Sequence, residues 1–70
     1  MLADELESAF QLIVDLPLAG ELVKHERIIG LRRIILTATQ YHLYYVVSEE
    51  RSHIEIISLW HTSRGSAPRL

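Results

Sequence analysis

The fold is indicated most clearly by residues 31–61, LRRIILTATQYHLYYVVSEERSHIEIISLWH. β-Branched and aromatic side chains dominate three runs within this stretch, which is typical of strands. The runs cover about 31–38, 41–48 and 54–61. Only Thr39 and Gln40 separate the first two runs, and the charged segment 49–53 separates the last two. Because short connections join neighbouring antiparallel strands, the stretch predicts a three-stranded β-meander.

An amphipathic helix is predicted before the strands, over about residues 2–15. Its apolar residues recur at intervals of three and four and form one stripe: Leu2, Leu6, Phe10 and Ile13 or Val14. Acidic residues occupy the early turns, where the helix dipole favours negative charge: Asp4, Glu5 and Glu7. Asp15 and Pro17 are expected to end the helix, because the residue before a proline disfavours helical geometry.

The segment between the helix and the meander contains a proline and two glycines. Residues 15–20, DLPLAG, predict a loop. Residues 21–30, ELVKHERIIG, are compatible with one helical turn or with a short irregular strand. The chain is therefore expected to be α+β, with the helix packed on one face of a three-stranded antiparallel sheet. One domain is expected over 1–70, with a tail at 62–70.

One helix covers only part of such a sheet. Strand 41–48 is apolar or aromatic at most positions, as expected for a strand that is covered on both faces. The chain has 70 residues, of which 49% are hydrophobic, and a core of this size is small. We therefore expect an oligomer or a partner protein to cover the second face. The predicted core consists of Leu6, Phe10, Ile35, Tyr45, Ile57 and Leu59.

The composition argues against several classes of protein. Without cysteine there is neither a disulfide framework nor a cysteine-based zinc site. The lack of cysteine and of a signal-peptide pattern favours the cytoplasm, and the apolar runs are too short to span a bilayer. Phosphate-loop, nucleophile-elbow and dinucleotide motifs are absent. We expect no cofactor and no metal, since the histidines lack the spacing of a metal site: His25, His42, His53 and His61.

The net charge of −2 hides a division along the chain. Residues 1–30 contain six acidic and two basic residues, whereas 31–70 contain three acidic and five basic residues. Such an asymmetry is typical of a second part that meets an anionic partner. The alternative is that the charged residues of each part simply lie on solvent-exposed faces.

Two adjacent arginines, Arg32 and Arg33, open the first strand and point to opposite faces of the sheet. In one interpretation, one arginine is solvated and the stem of the other covers apolar surface. In the other, a guanidinium binds a phosphate or a target through paired hydrogen bonds. The aromatic residues of the next strand are either structural or stack on unpaired bases: Tyr41, His42, Tyr44 and Tyr45.

The last strand ends at His61, and Arg64 follows closely. Strict alternation places His61 on the face of Ile57 and places Ile56 on the other face with Trp60. A histidine in this position is either a hydrogen-bonded packing residue or a general acid or base for RNA cleavage. In the second case Arg64 stabilises the phosphorane charge. The sequence leaves both readings open, because no further group completes an acid–base pair.

Several short segments, taken in order, resemble the RelE/ParE toxin superfamily, and in particular its ParE-like plasmid-stabilisation branch. They are GLRRIIL, TQYHLYYVV, a charged hairpin, IEIISLWH and SRGSAPRL. The helix followed by DLPLAG is similar to the family's second helix and the loop after it. Family members usually begin with a further strand and helix. The resemblance therefore implies a RelE/ParE-like fold that lacks these two elements.

The resemblance also implies a function. It is that of a type II toxin–antitoxin toxin, which binds a target such as DNA gyrase without catalysis and is neutralised by a cognate antitoxin. The implied target contacts are Arg32, Arg33, His61 and Arg64. One alternative is a ribosome-dependent mRNA endonuclease of RelE type, with His61 and Arg64 as catalytic residues. Another is an inactive, truncated form that serves as a protein-interaction module.

Overall fold

In the residues that the structure describes, the chain folds into one α-helix and a four-stranded antiparallel sheet, which confirms the α+β class. The structure is a computed structural model and describes residues 1–50, 52–64 and 70. The elements are α1 (Leu2–Asp15), β1 (Glu21–Leu22), β2 (Leu31–Leu36), β3 (Tyr41–Ser48), β4 (His53–His61) and a 3₁₀ turn (Thr62–Arg64). The strand order is β1-β2-β3-β4. Most of the tail expected at 62–70 lies outside the described residues.

The prediction of three strands was wrong by one. Residues Glu21–Leu22 form β1, which pairs with β2 through Glu21 opposite Arg33 and Leu22 opposite Arg32. Two residues are too few to show a period of two in the sequence. They form a strand because they pair with the edge of β2. The ambiguous segment 21–30 therefore begins as a short strand.

The first hairpin is longer than the sequence suggested, because β2 ends at Leu36 and the turn spans residues 37–40. Glu5 of α1 binds this turn. One of its carboxylate oxygens accepts the backbone N–H of Ala38 at 2.9 Å, and the other accepts the N–H and hydroxyl of Thr39 at 3.0 and 2.5 Å. The hydrogen bond from the Thr39 side chain is the main reason why the pKa of Glu5 lies below its usual value. The turn is thus tied to the helix.

The core lies between α1 and one face of the sheet, which we call the helix face. Ala9 and Ile13 of α1 are buried against three sheet residues: Leu36, Leu43 and Tyr45. Leu2 and Leu6 pack beside them. The helix bounds agree with the prediction, but the buried stripe runs through Ala9 instead of Phe10, which is 43% exposed.

Two other members of the predicted core are exposed, whereas Tyr45 is fully buried as expected. Ile35 is 51% exposed because it lies on the opposite sheet face, which we call the helix-free face. Leu59 is 37% exposed on the outermost strand. Ile57 is half-buried at an irregularity in β4.

That irregularity is a β-bulge. Tyr44 pairs with Ser58 but Tyr45 pairs with Ile56, so β4 carries one extra residue, Ile57, at this point. The bulge breaks the strict alternation predicted for the strand. Ile56 shares the face of Tyr45, the helix face, instead of the face of Trp60.

Two side chains that are neighbours across β2 and β3 hold the loop after the helix. The Tyr45 hydroxyl donates to the Pro17 carbonyl and accepts the Gly20 N–H, both at 2.8 Å. A Cβ on residue Gly20 would lie 2.5 Å from the Tyr45 oxygen, so only glycine permits this approach. Arg32, which pairs with Tyr45, donates to the carbonyls of Leu18 and Gly20.

The helices in the described part of the chain are all too short or too polar to cross a bilayer.

Candidate interaction site

Of the four residues predicted to contact a target, the three whose side chains the structure describes do not form a single site. Arg32 lies on the helix face, where its guanidinium donates to Leu18 O at 3.2 Å and to Gly20 O at 2.8 Å. These hydrogen bonds satisfy loop carbonyls beside the core, so Arg32 has a structural role. Engagement of a target by Arg32 would have to compete with these bonds.

Arg33 lies on the helix-free face and forms an ion pair with Glu21 of β1. Its side chain is 28% exposed, and its Nε is buried without a hydrogen-bond partner in the described part of the chain. Burial alone would lower the pKa of Arg33, but the hydrogen bonds to Glu21 and Tyr44 outweigh it and raise the pKa. Arg33 therefore remains a cation, and its charge is largely balanced by Glu21.

A polar row crosses the whole sheet at this position. On the helix-free face, Arg33 is opposite Glu21 on one side and opposite Tyr44 on the other, and Tyr44 is opposite Ser58. Such cross-strand neighbours interact directly. The row joins all four strands with side chains that combine charge, an aromatic ring and a hydroxyl.

A second row, parallel to the first, contains Ile35, His42 and Trp60. The His42 ring lies 6.4 Å from the ring of Tyr44. Burial lowers the pKa of His42, and the positive charge of Arg33 lowers it further. The sequence pattern identified His42 only as one of the aromatic residues of its strand, on the face of Tyr44, and gave no signal for Glu21. We call the residues of both rows the sheet-face cluster.

His61 stands at the end of β4 on the helix face, away from the sheet-face cluster. Its ring meets that of Tyr41 edge-on at 4.7 Å. Its Nδ1 accepts the backbone N–H of Ser63 at 3.1 Å and lies 2.5 Å from the Ser63 hydroxyl. Because Nδ1 accepts a hydrogen bond, the neutral ring carries its proton on Nε2. These contacts describe a packed residue that closes the turn after β4.

Arg64 ends the 3₁₀ turn that follows His61, and its side chain lies outside what the structure describes. The structure therefore places only the backbone of Arg64 relative to His61. Within the described ranges, no group of three or more histidine, aspartate and glutamate residues is placed to hold a metal ion.

An apolar groove runs between α1 and β4 on the helix face. It has a volume of about 310 Å³ and is lined by Phe10, Ile13, Val14, Ile54 and Ile56. Several lining side chains are open to solvent, since Phe10 is 43%, Val14 66% and Ile56 45% exposed. The groove exists because one helix does not reach the outermost strand, which agrees with the expectation of a partly covered sheet.

The comparison with known families gives one match. A family model described as the ParE toxin of a type II toxin–antitoxin system, parDE, covers residues 1–65. No curated protein and no solved structure matches the chain significantly. The family match spans nearly the whole chain, so the chain belongs to the ParE toxin family and is a toxin of a type II toxin–antitoxin system.

Proposed function

We propose that this ParE-family toxin acts stoichiometrically, by binding a cytoplasmic target such as DNA gyrase. In this proposal a cognate antitoxin holds it inactive. The observation that carries the proposal is the family match over residues 1–65. Arg33 and Trp60 of the sheet-face cluster support it, because both are partly exposed and arginine and tryptophan are among the residues most enriched where protein interfaces gain their binding energy.

Arg33 is the target contact that the structure supports best. It lies on the helix-free face, where no helix of the described chain covers the sheet. Tyr44 is opposite it, and Trp60 is in the next row. We assign His61 and Arg64 to the same proposed interaction through the end of β4 and the tail, as the resemblance implies.

The first test is growth after induction of the chain, alone and together with the antitoxin gene. We expect growth arrest that the antitoxin relieves, with induction of the DNA-damage response if gyrase is the target. Inhibition of gyrase supercoiling by the purified protein would then identify the target directly. Unimpaired growth with soluble, folded protein would contradict the proposal and favour the inactive interaction module.

A matched pair of variants tests whether Arg33 contacts the target or only stabilises the sheet. Arg33→Ala and Glu21→Ala each break the ion pair that joins β1 to β2. If Arg33 also touches the target, Arg33→Ala weakens inhibition much more than Glu21→Ala does. Equal losses in the two variants would show that Arg33 acts only through the sheet.

The endonuclease alternative has its own discriminator. In that case the chain would cleave mRNA in a translation-dependent way, and His61→Ala would abolish cleavage. Ser63→Ala is the matched control, because it removes the hydroxyl beside Nδ1 and leaves the imidazole in place. Arrest without mRNA cleavage would remove this alternative.

A further inference from the structure

The turn between β2 and β3 contains a backbone conformation that few residues adopt. Gln40, the last residue of this turn, has a φ of 61°, which lies in the left-handed region. A residue with a Cβ disfavours that region and keeps it only where its surroundings hold it there. The hydrogen bonds of residues 37–40 therefore identify the groups that fix the conformation of Gln40.

Two sets of hydrogen bonds hold the turn. In the first, the carboxylate of Glu5 accepts the N–H of Ala38 and both the N–H and the hydroxyl of Thr39. In the second, the carbonyl of Gln40 accepts the N–H of Thr62 at 2.9 Å. Because α1 packs on the sheet through buried side chains, Glu5 ties the turn to a well-anchored element.

Thr62 connects the turn to the end of β4. It follows His61 directly and begins the 3₁₀ turn after the strand. The N–H of Ser63 donates to Nδ1 of His61, and the ring of Tyr41, the residue after Gln40, meets the His61 ring edge-on. The direction of the Gln40 carbonyl therefore influences how the chain leaves β4 and how the His61 ring is held.

A continuous series of contacts thus leads from α1 to the end of β4. It begins at the Glu5 carboxylate, passes through residues 38–39 to the Gln40 carbonyl, and continues through Thr62 to His61. Such a series couples two positions when an element between them has two arrangements. The turn has two, because Gln40 is either held in the left-handed region or relaxes to an ordinary conformation.

We propose that Glu5 is a positioning residue for target binding at the end of β4. It holds Gln40 in the left-handed conformation and so directs the carbonyl that binds Thr62. This role requires no contact between Glu5 and the target. The inference rests on the proposed function in one respect, because it takes His61 and Arg64 as target contacts.

Glu5→Gln is the test variant. It keeps the length of the side chain but replaces one acceptor oxygen by an amide group that only donates, so part of the binding of the turn is lost. Glu7→Gln is the matched charge control, because Glu7 is an exposed carboxylate on the same helix. Ser8→Gly is the stability control, since a glycine weakens the same helix at an exposed position away from the turn.

Two measurements on the full chain give the result. NMR at neutral pH follows hydrogen exchange of the Thr62 amide and the nitrogen shifts of the His61 ring, and a supercoiling assay follows inhibition of DNA gyrase. We expect Glu5→Gln to speed exchange at Thr62 about twofold to thirtyfold, as coupling through such contacts gives, and to weaken inhibition by a similar factor. The Nε2–H tautomer of His61 should lose population. Neither control should change these values.

A second substitution tests whether the effect passes through Gln40. Glycine adopts positive φ about as readily as negative φ, so Gln40→Gly reduces the need for the carboxylate. Added to Glu5→Gln, it should return exchange at Thr62 and inhibition of gyrase toward the wild-type values. Failure to restore them would show that Glu5 does not act through the conformation of Gln40 and would overturn the proposal.

Three further results would overturn it. Unchanged exchange at Thr62 in Glu5→Gln would show that the end of β4 does not depend on the carboxylate. Equal effects in Ser8→Gly would show that only the stability of α1 matters. Full inhibition by Glu5→Gln, despite faster exchange, would show that target binding does not depend on this coupling and would leave the proposed function standing.

The wild-type chain keeps the two proposals apart. A wild-type chain that inhibits neither gyrase nor growth removes the proposed function. The coupling of Glu5 to Thr62 and His61 is then decided by NMR alone, because that measurement requires no target.

Discussion

Replacing Tyr45 by phenylalanine isolates the link between the sheet and the loop that follows α1. The Tyr45 hydroxyl donates to Pro17 O and accepts from Gly20 N, each at 2.8 Å. The ring itself is fully buried and remains in the variant. Tyr45→Phe therefore deletes one oxygen and two hydrogen bonds without opening a large cavity.

The size of the loss follows from what remains after the hydroxyl is removed. Gly20 is buried, so its N–H is left without a partner, and an unsatisfied buried donor costs about 1–3 kcal/mol. The Pro17 carbonyl is only partly buried and can turn to water, so it adds little. We expect a loss of about 2 kcal/mol in the free energy of unfolding. For a domain of this size that is a fall of about 8–16 °C in Tm.

Urea denaturation followed by circular dichroism measures this loss. Tyr41→Phe is the matched control, because the Tyr41 hydroxyl makes no hydrogen bond to another described residue and its ring is only half-buried. It should change the free energy of unfolding by less than about 0.5 kcal/mol. If both variants lose the same free energy of unfolding, the two hydrogen bonds of Tyr45 do not stabilise the fold.

Three further predictions concern the core and two titrating groups. Ile13→Ala should lower the free energy of unfolding by about 2–5 kcal/mol, because Ile13 is 1% exposed. Val14 is 66% exposed, so Val14→Ala should lower it by less than about 0.5 kcal/mol in the same urea experiment. Because folding lowers the pKa of Glu5, its contribution to stability is present above the unfolded pKa, about 4.3, and is lost as pH falls through the folded value. Glu5→Gln should therefore flatten the acid limb of a stability–pH curve, and an unchanged limb would contradict this. Burial and then Arg33 lower the pKa of His42, so Arg33→Gln should raise that pKa in an NMR titration, and an unchanged or lower value would exclude the coupling.

The helix and the long strands could be predicted because their signals are local. A stripe at helical spacing gives α1, and β-branched and aromatic runs give β2, β3 and β4. β1 could not be found this way, since two residues carry no period and only the edge of β2 makes them a strand. The bulge at Ile57 is equally invisible, because it arises from how β4 fits β3. One extra residue there moves Ile56 to the opposite face.

The site residues show the same limit. Arg32 and Arg33 are partly exposed whereas Tyr44 and Tyr45 are buried, and the partners of all four are set by register. Arg32 meets loop carbonyls because it lies beside Tyr45, and Arg33 meets Glu21 because β1 exists. His42 belongs to the sheet-face cluster because strand register places it opposite Ile35 and Trp60. The basic residues can be found from the sequence alone, but the pairing of strands determines which of them are already bonded within the chain.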